Sequence, residues 1–419
     1  MSFTFVHTAD LHLDSPFVGL ATVSPELARL LRNATFQAFD RVVDLAIEER
    51  ARFLLVAGDV YDGADRSLRA QLRFRDSLAR AADHGIASYV AHGNHDPLSG
   101  WEADLTMPGL VHRFGGKEAE AVEVREGGET LARLYGISHA VRELKDNLAD
   151  RFPRVASGPF AIGVLHANVG GNPDHDNYAP CTPADLLAVG LDYWALGHVH
   201  TRQVLKERAP AIVYPGNPQG LNWREQGARG CYLVRVDDGG EVHLTFAATD
   251  VVRWWRRQVD IRELNTHDTL LEALQTLREE VRRDSEPRGA LLQIRLTGRG
   301  AAHRLCRREG IIRDLLQALQ DGEADRSDFV WVDRLEDATR PPVDTAQRRT
   351  FRDFLGDFLK AAAELRTGPD PAAALRRILA EQPAFKVVAE EIAELTDDKL
   401  LVLLDDAETQ GLDLLAEEE

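Results

Sequence analysis

Cysteine is scarce. The 419 residues hold three, Cys181, Cys231 and Cys306, and no C-x-x-C pair. Three scattered thiols build neither a disulfide framework nor a zinc finger, and they fit a reducing compartment. Long apolar runs are missing too. No stretch approaches the roughly 18 apolar residues of a membrane span, and the start, MSFTFVHTAD, has no basic region ahead of an apolar one. A soluble, cytoplasmic protein with no membrane partner is therefore expected. Internal repeats and low-complexity tracts are also lacking. Positive charge is in deficit, with a net of −18, which argues against a nucleic-acid binder on bulk charge alone. The deficit is local, however. Residues 381–419 carry 13 acidic and 2 basic side chains, a net of −11, so the other 380 residues carry only −7. The body is near balance and leaves room for a basic surface.

What is present is length and apolar content. With 44% hydrophobic residues the chain suits two or three domains. FTFVHTAD (3–10), RFLLVAGDV (52–60) and ASYVAHGNHD (87–96) each read as a buried strand ending at a polar turn. Residues 25–49 and 67–83 between them have helical apolar spacing, and 101–111 offers another apolar helix face. Strand alternating with helix predicts an α/β layered fold. From about 130 the pattern turns to short strands: LARLYGIS, FAIGVLHA, DYWALGHVH, AIVYPGN, GCYLVRV and VHLTFA. Residues 1–248 thus read as a β-sandwich with helices outside. Residues 249–340 read as a small α+β domain, with helices at 267–283 and 302–319 and strands at 290–298 and 329–337. ATRPPVD (338–344) is a plausible linker. Residues 341–419 look helical throughout, with a break at TGPDP (367–371).

Five polar clusters follow predicted strands: Asp10-Leu-His12, Gly58-Asp59, Gly93-Asn94-His95-Asp96, His166, and Gly197-His198-Val-His200. Singly, each reads equally well as a turn glycine, a capping Asp or a surface His. Five in order, each after a strand, make coincidence a poor explanation. Mixed Asp, Asn and His donors suit Mn, Fe or Zn rather than a softer or harder ion. Ligands at strand ends are held by a rigid sheet, as a metal pair with a shared carboxylate requires.

The set resembles the calcineurin-like metallophosphoesterases, with their D-x-H, GD, GNH(D/E), H and GH-x-H motifs, over about residues 1–248. The resemblance implies a four-layer α/β/β/α sandwich. It makes Asp10, His12 and His200 ligands of one metal, Asn94, His166 and His198 ligands of the other, and Asp59 the bridge. His95 would protonate the leaving oxygen, with Asp96 beside it to orient and charge the ring. Three longer segments narrow the resemblance: DLHLDSP (10–16), ANVGGNPDHDNYAPC (167–181) and VYPGNPQGLNWREQGARGCYLV (213–234). These look like DNA repair exonucleases of the SbcD and YhaO type, YhaO-like above all, relatives of the nuclease subunit in Mre/Rad double-strand-break complexes. That family has a phosphoesterase domain, a small capping domain and a helical tail. It implies hydrolysis of DNA phosphodiesters with two divalent ions, Mn2+ first and Fe2+ or Zn2+ next. It also implies a coiled-coil ABC-type ATPase partner, bound through the tail, and a homodimer. Archaeal and eukaryotic relatives often carry His three residues after the bridging Asp. Here that position is Asp62, so strand or end preference is not carried over. Gly63-Ala64 after Asp62 departs from the protein-phosphatase pattern GD-x-VDRG.

Other residues have blander readings. His7, His112 and His139 lie outside the motifs and are taken as structural. His175 and Asp176 fall in a polar loop that fits solvent better than the mouth of the site. Trp254-Trp255-Arg256-Arg257 fits a domain junction better than a nucleic-acid contact. Asp62, Trp223 and Arg224 are the candidate substrate contacts. Apolar spacing in LTDDKLLVLLDDAETQGLDLL (395–415) fits packing on its own domain or a partner helix, while its acidity argues against DNA there. A phosphoesterase acting on nucleotides or other small phosphodiesters is the alternative. A non-catalytic scaffold is the third reading, and the intact motif set tells against it.

Overall fold

The computed structural model describes residues 2–21, 25–63, 67–171, 176–382 and 395–415. Fifteen strands, β1 to β15, appear among them. The first sheet contains β1 (Phe3–Thr8), β2 (Phe53–Ala57), β3 (Ala87–Ala91), β4 (Val111–Arg113), β11 (Gly230–Val236) and β12 (Val242–Ala248), in the order β12-β11-β1-β2-β3-β4. The second contains β5 (Glu120–Glu126), β6 (Glu129–Ile137), β7 (Phe160–His166), β8 (Tyr193–Gly197), β9 (Gln203–Lys206) and β10 (Ala211–Tyr214), in the order β5-β6-β7-β8-β10-β9. β1, β2 and β3 run parallel, with Phe5 opposite Phe53 and Phe53 opposite Ala87; β7 and β8 are parallel in the other sheet.

The strands read as near-continuous apolar runs because both of their faces are covered. Phe5, Phe53, Leu55, Val164, Tyr193 and Val213 fill the space between the sheets. The alternate residues Val6, Leu54 and Val56 face outward. There they meet helix α1 (Pro25–Glu48) through Phe36, Phe39, Val42 and Val43, and helix α2 (Leu68–Asp83) through Phe74, Leu78 and Ala81. Spacings of three and four put those side chains on one helix face, and each buried phenylalanine or leucine is worth about 1.5–3 kcal/mol. Helix α3 (Pro183–Val189) covers the second sheet, started by a Thr182/Asp185 capping box and ended by left-handed Gly190. Two sheets inside two helical layers is the expected α/β/β/α sandwich.

The third sheet is β13 (Val252–Asp260), β14 (Gly289–Thr297) and β15 (Val330–Asp337), with helix α4 (His267–Ser285) between the first two strands. The helix expected over 302–319 is broken into α5 (Ala302–Cys306) and α6 (Ile311–Gln320), because Gly310 sits at φ +83°. The helix expected at 101–111 does not form. Pro108 holds Met107 out of the helical region, Gly109 follows, and Trp101 and Leu110 are exposed.

The chain forms two compact units, one of residues 1–257, 273–295 and 313–336, the other of 258–272, 296–312 and 337–419. The second includes helices α7 (Thr345–Arg348), α8 (Phe354–Thr367), α9 (Pro371–Glu381) and α10 (Asp397–Leu415). The break at 367–371 is real: Asp370 caps α9 and Pro371 occupies its first turn. Leu375, Leu400 and Leu404 pack together, as do Leu355, Leu359 and Leu412. Residues 383–394 of the expected helical region lie outside the described residues. No helix among the described residues is long and apolar enough to cross a membrane.

Candidate metal centre

The loops leaving β1, β2, β3, β7 and β8 meet at one edge of the sandwich, outside the carboxyl ends of parallel strands, where α/β folds place their ligands. They are stitched by backbone bonds. Asp10 N donates to Gly58 O and His12 N to Asp59 O, each at 3.0 Å, and His198 N donates to Asp10 Oδ1 at 2.9 Å. Asp10, His12, Asp59 and His198 all have positive φ, between 42° and 102°. Side chains rarely accept that conformation, and where they do the surroundings force it. Gly58 and Gly197 make the close approach feasible. A Cβ on Gly58 would lie 2.1 Å from His166 Nδ1, and one on Gly197 only 1.7 Å from Ala57 O.

The structure brings together every residue of the expected ligand set. Asp10, His12 and His200 present donor atoms within 4.8 Å of one another, and so do Asp10, Asp59 and His166. His12 Nε2 faces His200 Nε2 at 3.1 Å. Asn94 Oδ1 lies 3.0 Å from His166 Nε2 and 3.2 Å from His198 Nδ1. Asp59 Oδ2 reaches both groups, at 3.3 Å from His166 Nε2 and 3.8 Å from His12 Nε2. Asp10 Oδ2 is buried with no hydrogen-bond partner, a costly state for a carboxylate oxygen unless a cation meets it. This donor set, a carboxylate with one oxygen unpartnered among imidazoles and an amide oxygen, fits divalent cations. Nearly all of it is buried.

Without a cation the charges lean on each other. Burial pushes Asp10 up, to about 6, against the pull of His166 and His200. Burial pushes Asp59 the same way, but His166 and His12 outweigh it and hold Asp59 well below the usual range. Burial, with His200 alongside, drives His12 down to about 4. His166 is desolvated as well, yet Asp59 and Asp10 lift it to about 9.

The His95 ring is one-third exposed, and the residue's backbone N–H donates to Asp59 Oδ1 at 2.9 Å. The carboxylate beside its ring is not the expected one. Asp62 Oδ1 lies 2.8 Å from His95 Nδ1, and that bond lifts His95 against the downward push of burial. Asp96 is buried and works on the backbone instead: it accepts from Val60 N at 3.0 Å and Gly93 N at 2.7 Å, and pairs with His92 Nδ1 at 2.8 Å. A three-residue turn aims Asp96 back at its own loop. Asp62, expected to face the substrate, is thus a partner of His95.

The other candidates divide. Trp223 is buried, donates to Gly19 O at 2.9 Å and packs edge-on against Trp254 at 4.5 Å, so it belongs to a core. Arg224 is exposed. Trp254 is buried, and Trp255 donates to Ser285 Oγ. His7 and His139 are buried among backbone and side-chain partners and His112 pairs with Glu120. Asp176 brings its carbonyl oxygen 2.7 Å from His198 Nε2, so its loop does touch the site; His175 lies outside the described residues. Glu225 carries no motif signal, yet its Oε1 is 2.7 Å from His200 Nδ1. The only hint was its place in the long segment after Tyr214.

Residues 3–202 match the family model described as calcineurin-like phosphoesterase, and residues 254–340 match that of the metallophosphoesterase YhaO middle domain. Over 336 residues the chain is 38% identical to a Bacillus subtilis protein named uncharacterized metallophosphoesterase YhaO, covering 80% of this chain and 82% of that one. It is 27% identical over 252 residues to the DNA double-strand break repair protein Mre11 of Aeropyrum pernix, covering 56% and 58%. It is 24% identical over 288 residues to one of the subunits of the nuclease SbcCD from Bacillus subtilis, covering 59% and 71%.

Proposed function

Because the chain belongs to the calcineurin-like metallophosphoesterases of the YhaO type, metal-dependent phosphodiesterases by family, we propose that it is a DNA exonuclease. The reading adds two divalent ions, Mn2+ first, with a coiled-coil ABC-type ATPase and a second copy of the chain as partners. The observation that carries it is the intact ligand set with His95 and Asp62 at its exposed rim. Nuclease and DNA-repair names among the relatives support DNA over a small ester. The domain division at 248 and 340 is part of the same proposal.

Each residue has a task. Asp10, His12 and His200 would hold one ion and Asn94, His166 and His198 the other, with Asp59 reaching both groups of donors. Divalent ions, when bound, lower the pKa of water and offset charge on a phosphoryl group. His95 delivers a proton to the departing sugar oxygen through Nε2, because Asp62 occupies Nδ1 and fixes the ring. A general acid so placed is worth ~10²–10⁴-fold. The acidic tail stays off DNA, since phosphates repel it, and is the surface assigned to the ATPase.

The test is nuclease activity with Mn2+ on end-labelled linear duplex and single-stranded DNA. His95→Ala and Asp59→Ala run beside it, with bis-p-nitrophenyl phosphate as a small ester. Shortened DNA, lost in both variants, is the expected result, and the label gives polarity. Cleavage of the small ester alone, with the ATPase also supplied, would overturn the DNA reading and favour nucleotides or other small phosphodiesters.

A further inference from the structure

Glu225 stands outside the ligand set but is tied to His200 at 2.7 Å. It is buried, 6% exposed, so an idle carboxylate there would be costly. Neither oxygen is idle. Oε1 lies 2.7 Å from His200 Nδ1, while Oε2 accepts from Asn217 Nδ2 at 2.9 Å and from Leu221 N at 2.7 Å. Asn217 closes the loop, its N–H donating to His200 O at 3.1 Å, and Arg229 Nη1 donates to the same carbonyl and to Asn217 Oδ1. Backbone and ring of His200 are thus clamped from one side by Asn217, Glu225 and Arg229.

We propose that Glu225 is the positioning residue of the metal centre: it fixes the tautomer and direction of His200 so that Nε2 points at the ion shared with Asp10 and His12. This rests on the reading of His200 as a ligand. The chemistry is a matter of one proton. A carboxylate only accepts, so His200 Nδ1 must carry the hydrogen. Nε2 is then left with its lone pair, facing His12 Nε2 across 3.1 Å. Partners of this kind set ligand orientation and basicity, and their loss typically costs 10–100-fold in metal affinity.

Glu225→Gln separates this role from mere packing. Glutamine keeps the volume but brings one donor and one acceptor. Two donors, Asn217 Nδ2–H and Leu221 N–H, hold the second oxygen's place, so the amide oxygen turns to them and the NH2 group faces His200. The proton of His200 then favours Nε2, where a cation must displace it to bind. The experiment is Mn2+ titration of the full chain by calorimetry, for wild type, Glu225→Gln, Glu225→Ala, His200→Ala and the His200→Ala/Glu225→Gln double variant. Urea unfolding in chelator runs alongside. Glu225→Gln is expected to weaken one Mn2+ by about 10–100-fold, to change metal-free unfolding little, and to add nothing once His200 is gone. Wild-type affinity in Glu225→Gln, with weakened binding in His200→Ala, would overturn the inference and leave the ligand reading intact. Unchanged binding in His200→Ala would overturn the ligand reading itself. Equal losses with and without His200 would make Glu225 structural, whether or not Glu225→Ala folds.

Discussion

Asp62 Oδ1 sits 2.8 Å from His95 Nδ1, and the same oxygen is 3.9 Å from His12 Nδ1. One half-exposed carboxylate therefore orients the proposed proton donor and borders a proposed ligand. His95→Ala should lower kcat on DNA, whose departing sugar oxygen needs a proton, by ~10²–10⁴-fold while leaving Mn2+ affinity within a few-fold. Asp62→Ala frees the ring but leaves it in place, so its loss should be smaller, about tenfold by the same scale. Equal losses in the two variants would mean that Asp62 does more than hold His95.

Metal should stabilise the fold strongly. Asp10 and Asp59 are buried carboxylates whose mutual repulsion a cation relieves. Saturation at 100 times the dissociation constant adds about 2.7 kcal/mol. Thermal unfolding with Mn2+ against chelator should show a clear upward shift in wild type. Asp59→Asn should lose most of it, because Asp59 reaches both groups of donors.

The sandwich and the polar residues gathered at its edge were legible because each signal was local. A strand buried on both faces is an apolar run, and the turn after it must be polar, so Asp10, Asp59, Asn94 and His198 announce themselves. Partnership across loops was not legible. Asp96 follows His95 in sequence, yet a tight turn points it at Gly93 N, and Asp62, from another strand's loop, takes its place. Glu225 was invisible for the same reason: 25 residues and two strands separate it from His200. The 101–111 stretch failed differently, since apolar spacing there was overruled by Pro108 and Gly109.

Trp223 and Arg224 are neighbours with opposite surroundings, and their variants should part accordingly. Trp223 lies in a cluster with Leu27, Leu31, Trp254 and Trp331. Its replacement by Ala should cost about 3–5 kcal/mol of stability, read as a shift in the urea midpoint, with small-ester kcat unchanged in the folded fraction. Arg224→Ala should leave the midpoint within ~0.5 kcal/mol. If Arg224 meets a DNA phosphate, the salt dependence of DNA binding should fall by about one ion; an unchanged slope would remove it as a contact.

His7, outside the proposed ligand set, gives the fold an acid limit. It lies between the sheets, with Nδ1 2.9 Å from Tyr193 Oη and Nε2 3.2 Å from Leu196 O. Burial drives it down to about 3, only partly offset by the Leu196 carbonyl. An unfolded histidine titrates near 6.5, so between that value and about 3 the unfolded chain binds a proton that the folded chain refuses. The stability tied to a neutral His7 is complete above pH ~6.5 and falls by about 1.4 kcal/mol per pH unit as the solution is acidified toward the folded value. His12 and His139, both driven down to about 4, act in the same direction and are common to wild type and variant. Urea unfolding in chelator at pH 7.5 and 5.0 isolates the difference. The loss on acidification should be about 2 kcal/mol smaller in His7→Gln than in wild type, whatever the variant's stability at pH 7.5. Equal losses in the two proteins would mean that the folded chain takes up the proton at His7, and that the space between the sheets admits water there.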